Sequence, residues 1–320
     1  MGQRHANREL PIVVRGAARR FGAVEAVRDV TLEIPRGVIC GLVGPSGSGK
    51  TTLLRMLTGT LRPTSGELRV LGESPWRFRA HTRERIGYMP QNFVLYPDLT
   101  AEENVSFVAA LFGMYWFKRR RRVREVLELV GLDDVRGRRA SLLSGGMQRR
   151  LALAAALVHE PLVLFVDEPT AGLDPILRGR VWTELRRLAE DGRTLLVTTQ
   201  YVGEAENCDL VALLSGGELL AFATPDELRR HVYGGEILDV RTSADVTADV
   251  LAGVPDLRDV KQRGSRRLIV VSGDAAAATP RIVEAVGRTA GTVASIERYD
   301  PTFDEVFTIL VERHAEQHAA

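Results

Sequence analysis

The chain has 320 residues, 45% of them hydrophobic and 26% charged, with a formal net charge of +2. That length allows about two domains of ~150 residues each. The composition is that of an ordinary globular protein, and so balanced a charge gives no argument for a nucleic-acid partner. Lysine supplies three of the 43 basic residues, Lys50, Lys118 and Lys261, so a lysine at position 50 stands out against an arginine background. The two cysteines, Cys40 and Cys208, make neither a disulfide framework nor a metal cluster. Each sits in or beside an apolar segment and reads as a small buried side chain. The opening residues, MGQRHANREL, carry no hydrophobic signal core. No apolar run approaches the ~20 residues of a membrane span. The longest, Phe107 to Phe117, ends at Lys118 and four arginines. The expectation is a soluble protein of the reducing cytosol that reaches a membrane only through a partner.

In chain order, Ile12 to Gly16 and Val30 to Ile34 read as strands. Phe21 lies between them, in Arg19-Arg20-Phe21-Gly22. It could stack on an adenine face or pack into the core beside a hairpin; both readings stay open. Val38 to Val43 is an apolar run that reads as a buried strand. It leads into Gly44, Pro45, Ser46, Gly47, Ser48, Gly49, Lys50, Thr51 and Thr52, and then into the helical run Leu53 to Leu57. This is G-x-x-x-x-G-K-[ST] in the strand–loop–helix setting that the motif requires. The glycines open backbone conformations closed to other residues. Backbone N–H groups can then turn toward phosphate oxygens, helped by the positive end of the helix. Lys50 can reach the β- and γ-phosphates, and the Thr51 hydroxyl can ligate Mg²⁺.

Strands are expected at Gly66 to Leu71 and at Arg85 to Pro90, the second followed by Gln91. Helices are expected at Leu99 to Phe117 and Arg121 to Val130, the first opened by a Thr100–Glu103 capping box. Ser144 then suits the N-cap of a helical run from Arg149 to His159. Gly145 and Gly146 let N–H groups approach an anion there, which makes a second phosphate-binding helix start. Two such sites in one chain are redundant unless they face each other across two chains. Leu162 to Val166 is a buried strand that ends in Asp167 and Glu168. Such paired acids could be merely solvated. Downstream of a P-loop, however, Asp167 is placed to hold Mg²⁺ or its water, and Glu168 to polarise an attacking water.

These motifs together resemble ATP-binding-cassette ATPase subunits. Gly44 to Thr51 looks like Walker A, Gln91 like the Q-loop glutamine, and LSGGMQ (Leu143 to Gln148) like the ABC signature. Phe165 to Glu168 looks like Walker B with its catalytic glutamate, and Ala171 to Asp174 like the D-loop. The resemblance covers roughly residues 10–232. It implies ATP and Mg²⁺ as cofactors, with Phe21, the residues from Gly44 to Thr52, Gln91, Ser144, Gly145, Gly146, Gln148 and Asp174 around the nucleotide. Thr51, Gln91 and Asp167 would be near the metal. It also implies a head-to-tail homodimer, or a heterodimer with a second ABC subunit, in which each ATP lies between one P-loop and the other chain's Ser144-Gly145-Gly146. One position departs from the family. The histidine expected after the strand Thr194 to Thr199 is Gln200, which can exchange hydrogen bonds as neutral histidine does but cannot carry a charge.

Beyond a hairpin of Asp209 to Leu214 and Glu218 to Ala223 comes a helix opened by Thr224-Pro225-Asp226-Glu227. Tyr233-Gly234-Gly235 reads as a boundary. The remainder reads as strand Ile237–Arg241, helix Val246–Ala252, strands Asp259–Gln262 and Arg267–Ser272, helix Pro280–Thr289 and strand Val293–Arg298, a ferredoxin-like βαββαβ order. A final capped helix starts near Asp300. Its opening, Asp300 to Phe307, resembles the close of the C-terminal domain in drug-export ATPases of the daunorubicin-resistance type. The expected fold class is α/β: a P-loop ABC ATPase domain over 10–232, with a helical subdomain at about 92–160, then a small α+β ferredoxin-like domain over 236–310 and a tail over 311–320. The C-terminal domain is expected to be regulatory or to support dimerisation. The expected function is the ATPase subunit of an exporter of drug-like or lipid-like cargo, bound to the cytoplasmic face of the cell membrane through a separate permease. Import or polysaccharide export are the rivals within the family. A soluble ABC protein acting on ribosomes or DNA is the rival outside it. One cassette and no inserted coiled coil speak against that last reading, and no nucleic acid is expected. The run Lys118 to Arg122 reads either as a solvated helix face or as a site of attraction to anionic lipid.

Overall fold

In the computed structural model, which describes residues 10–92, 95–289 and 291–319, the chain divides into two units between Thr224 and Pro225. The opening residues 1–9, where a signal core was sought, lie outside the described residues, as do Phe93 and Val94 just after Gln91.

The first unit contains β1 (Ile12–Phe21), β2 (Val24–Ile34), β3 (Ile39–Val43), α1 (Lys50–Leu57), β4 (Ser65–Val70), α2 (Ala80–Arg83), β5 (Ile86–Met89), α3 (Ala101–Leu111), α4 (Trp116–Leu129), α5 (Gly145–Leu157), β6 (Val163–Asp167), α6 (Pro175–Glu190), β7 (Thr194–Thr199), β8 (Leu210–Ser215) and β9 (Glu218–Ala223). Its main sheet runs β5-β6-β7-β3-β8-β9 and is parallel except for the edge strand β9. The central strands β3, β6 and β7 are buried at every position, as strands covered on both faces must be. That is why they read as unbroken apolar runs. A smaller antiparallel sheet, β2-β1-β4, shares one apolar cluster with the main sheet and with Leu53, Leu54, Met56 and Leu57 of α1. The helix that follows the P-loop is thereby fixed by packing on both sheets.

β1 runs past Gly16, where the sequence suggested a stop. Gly16 takes φ of 57°, its N–H donates to Thr31 Oγ1, and the register shifts there, so the glycine makes a bulge rather than an end. The two helices expected in the middle segment are both present, with the break between them earlier than expected. α3 ends at Leu111 because Gly113 adopts φ of 70°, while the N–H groups of Gly113 and Met114 close back on the carbonyls of Ala110 and Ala109. This left-handed stop satisfies the last carbonyls of α3. α4 then begins at Trp116, five residues earlier than expected. Cys40 and Cys208 are buried and free, and a Cβ on Gly41 would lie 2.6 Å from Cys208 Sγ. Burial pushes both thiols well above their ordinary range.

The second unit contains α7 (Pro225–Tyr233), β10 (Glu236–Thr242), β11 (Leu257–Gln262), β12 (Arg267–Ser272), α8 (Ala275–Gly287), β13 (Val293–Arg298) and α9 (Phe303–Ala319). Its sheet, β11-β12-β10-β13, is antiparallel throughout. β12 therefore splits the parallel pair β10 and β11, and β10 splits β12 and β13, as a split βαβ arrangement requires. The first helix of that pattern is only a 3₁₀ turn, Ala248–Leu251. The second starts earlier than expected, at an Asp274 cap, and carries Pro280 inside it. The Thr279 hydroxyl donates to the Ala275 carbonyl in that turn. α7 groups with this unit by packing on α9 and β10, so the boundary falls ahead of the Tyr233-Gly234-Gly235 turn. α9 continues to Ala319, through the stretch expected to be a frayed tail. Its start is a capping box in which Thr302 and Glu305 exchange side chain-to-backbone bonds.

Candidate functional site

The site lies where β3, β6 and β7 end. At the head of α1, the cap residue Gly49 takes φ of 98° and offers no side chain to the first helical amides. A Cβ there would sit 2.4 Å from the Ala26 carbonyl oxygen, so only glycine fits. The amides of Lys50, Thr51 and Thr52 come too early in the helix to have an acceptor one turn back. They face the loop with the positive end of the helix dipole behind them. Lys50 is 4% exposed and folds over the loop, its ammonium donating to the carbonyls of Gly44 at 2.7 Å and Pro45 at 2.8 Å. Burial lowers its pKa, and the charges of Glu168 and Asp167 partly oppose that.

Asp167, the last residue of β6, is buried. Its Oδ1 accepts from Thr198 Oγ1 at 2.6 Å and from Thr51 Oγ1 at 3.3 Å. Thr198 Oγ1 in turn accepts from the Glu168 backbone N–H at 2.9 Å. Glu168 sits at φ of 49°, a left-handed conformation that costs a non-glycine residue about 1–3 kcal/mol. The surroundings hold it there: the backbone is bonded to Thr198, the Arg149 guanidinium donates to the Glu168 carbonyl at 2.6 Å, and Gln91 Nε2 donates to the Glu168 carboxylate at 2.9 Å. Gln91, two residues past β5, thus holds the carboxylate, while α5 and β7 hold the backbone that carries it.

Gln200 follows β7 and accepts a bond from Ser46 Oγ at 3.4 Å, which puts its amide beside the P-loop. Phe21 ends β1 with its ring 47% exposed and the Arg19 guanidinium 4.5 Å from the ring centroid, so it is not a core side chain. Ser144 caps α5 by accepting from the Met147 N–H, and Ser144 and Gly145 stand exposed with Gly146 half-buried behind them. Gln148 and Asp174 are engaged locally. Gln148 donates to the Ala140 carbonyl, and the Asp174 carboxylate caps α6 through the N–H groups of Ile176 and Leu177.

Three participants were not anticipated. Thr198 sits in an apolar strand, and its only sequence signal is strand alternation that carries it to the face of Asp167. Arg149 lies one residue beyond the LSGGMQ motif. Glu204, 4% exposed, accepts from the hydroxyls of Thr170 and Thr199 and lies 3.5 Å from Arg178, tying the segment after Glu168 to the residue before Gln200.

Residues 27–171 match the ABC transporter family. The chain is 37% identical over 298 residues to the daunorubicin resistance ATP-binding protein DrrA3 of Streptomyces coeruleorubidus, a match that covers 92% of this chain and 94% of that one. It is 38% identical over 228 residues to the probable multidrug ABC transporter ATP-binding protein YbhF of Escherichia coli (strain K12). That match covers 71% of this chain and 39% of YbhF, so the chain spans well under half the length of that relative. Among solved structures, a dimeric bacterial ABC transporter cassette superposes with a TM-score of 0.62 at 30% identity, over 67% of this chain and 98% of that one. Identity that runs the length of both chains reaches beyond a shared fold: the chain belongs to the ATP-binding proteins of ABC transporters.

Proposed function

We propose that the chain binds MgATP and hydrolyses it to drive export through a separate membrane permease. The observation that carries this is the convergence, around one buried carboxylate, of the P-loop hydroxyl of Thr51, Asp167, Thr198 and the backbone of Glu168. The oxygens of Thr51 and Asp167 form a hard donor set that suits Mg²⁺, with Gln91 close by on Glu168. When bound, that ion would draw charge from the β- and γ-phosphate oxygens. The amides of Lys50, Thr51 and Thr52 would receive the phosphates, and the Lys50 ammonium would turn from the loop carbonyls to the β/γ oxygens.

Glu168 is the general base. Its carboxylate takes a proton from water as the water oxygen attacks the γ-phosphorus, and the bond from that phosphorus to the β–γ bridging oxygen breaks, leaving its electrons on ADP. Gln91 and Arg149 orient Glu168 for this step, and Gln200 holds the γ-phosphate in place of the family histidine. Phe21 supplies a face for the adenine. Ser144, Gly145 and Gly146 would complete the site of a second copy, or of a second ABC subunit, in a head-to-tail dimer. Gln148 and Asp174 support that edge through the local structure they fix. The relatives carry names for daunorubicin resistance, multidrug transport and Nod factor export, which favours export over import. No helix among the described residues is long and apolar enough to cross a membrane, consistent with a permease supplied by another chain. The second unit holds no catalytic constellation among its described residues, and we assign it to regulation or dimer support.

The Glu168→Gln variant tests this reading. It should bind MgATP, lose turnover by about 10²–10⁴-fold, and shift to a dimer on gel filtration with MgATP. A variant that binds ATP and stays monomeric argues against the composite site.

A further inference from the structure

The N-terminal end of α4 presents three consecutive aromatic residues to solvent. Tyr115, Trp116 and Phe117 are 86%, 54% and 75% exposed. The Trp116 and Phe117 rings lie against each other with centroids 4.3 Å apart. Helical spacing places Arg120 and Arg124 one and two turns beyond Trp116, and Arg121 one turn beyond Phe117. Trp116, Phe117, Arg120, Arg121 and Arg124 line one open groove.

The charges around this end are unevenly matched. Arg122 turns inward onto the carbonyls of Val158 and Leu157. Lys118 pairs with Glu160, and Arg121 with Glu125. Arg119, Arg120 and Arg124 have no carboxylate within ion-pair distance among the described residues, although Glu125 and Glu128 border the same groove. Exposed rings with unmatched cations call for a partner that is apolar at one depth and anionic at the next. A second copy of this surface would bring the same positive charge and be repelled. An anionic bilayer meets both demands, since aromatic rings settle at the headgroup level and arginines bind phosphate.

We infer that this end of α4 rests on the headgroups of an anionic membrane, with Tyr115, Trp116 and Phe117 at the boundary with the acyl chains and Arg119, Arg120 and Arg124 on lipid phosphates. The contact needs no permease and uses none of the residues assigned to the nucleotide.

The test is sedimentation of the full chain with protein-free vesicles. Mixed phosphatidylglycerol–phosphatidylcholine vesicles should carry it down, phosphatidylcholine vesicles should not, and added salt should release it. Near a surface each cation contributes about fivefold, so R119Q/R120Q/R124Q should lower partition about a hundredfold. W116A/F117A should lower it by about tenfold or more. Binding of a fluorescent ATP analogue by both variants should match the parent, showing that the fold is intact. Brominated lipid should quench tryptophan fluorescence in the parent and not in Trp116→Ala, because Trp182 is buried and Trp76 partly so. Failure of the parent to sediment, sedimentation unchanged in the triple variant, or sedimentation that appears only with a permease in the vesicle would each overturn the inference.

Discussion

Buried polar side chains are arranged differently in the two units. In the first, Lys50, Asp167, Glu168, Thr170, Thr198, Thr199 and Glu204 gather at one end of the central strands. Some hold strained or desolvated states: Glu168 in a left-handed backbone, Lys50 with its pKa lowered by burial. In the second unit the buried polar groups are closed by near neighbours. Asp239 on β10 accepts from Arg267 on β12 at 2.9 and 3.0 Å, and Thr242 donates to the Ala244 carbonyl. A unit that keeps strained and convergent polar groups has a use for them. A unit that pairs each one locally is using them to fix its own sheet.

That contrast predicts that changes in the first unit cost activity and changes in the second cost stability. The largest effect should come from Lys50→Ala. Losing the one lysine at the P-loop should lower turnover by about 10²–10³-fold, the size seen for a lost transition-state donor, with thermal stability little changed. Normal ATP affinity and turnover would break the P-loop assignment. In the second unit, Asp239→Asn should leave ATP turnover near that of the parent and cost about 1–3 kcal/mol of stability, read by denaturant unfolding. A loss of turnover with no loss of stability would reverse the comparison.

Acid sharpens it further. Burial alone would raise the pKa of Asp239, but the hydrogen bonds and charges of Arg267 and Arg241 outweigh it and hold the carboxyl below its ordinary range. For Glu305, burial is likewise outweighed, by Arg263, Tyr299 and the Thr302 N–H. A depressed carboxyl contributes stability that is present above its unfolded pKa and lost as pH falls through the folded one. Hydrogen exchange in β10, β12 and the start of α9 should therefore lose protection below about pH 4, and Asp239→Asn should flatten that loss. Protection that is flat from neutral pH to about pH 3 in the parent would remove these carboxylates from the account. The smallest effect concerns Gln200. Gln200→His should raise steady-state ATPase several-fold, a change under about 1.4 kcal/mol. A slower variant would show that glutamine is a working part of this site.

Much of the catalytic end was legible because its signals are local. Glycines, Lys50 and Thr51 between an apolar strand and a helix specify a P-loop, and β7 and β12 run as the residue pattern indicated. What escaped depended on geometry that residue order hides. Gly113 reads as one more residue in an apolar run, yet its φ divides α3 from α4. The stretch from Val246 to Ala252 is too short for periodicity to separate a helix from a single 3₁₀ turn. Pro280 looks like a helix start, whereas the Asp274 cap lies six residues before it. Thr198, Arg149 and Glu204 act through residues distant in sequence, so no motif announces them.

The two thiols carry a practical consequence. Cys40 and Cys208 are 0% and 5% exposed, and burial keeps both protonated at neutral pH. Toward alkylating and cross-linking reagents the folded chain behaves as one without cysteine. Reporter thiols can therefore be placed at Ser144 in one copy and Ser46 in another while the native pair stays in position. Reaction at Cys40 would then register global unfolding within the same sample, giving the cross-linking experiment its own built-in control.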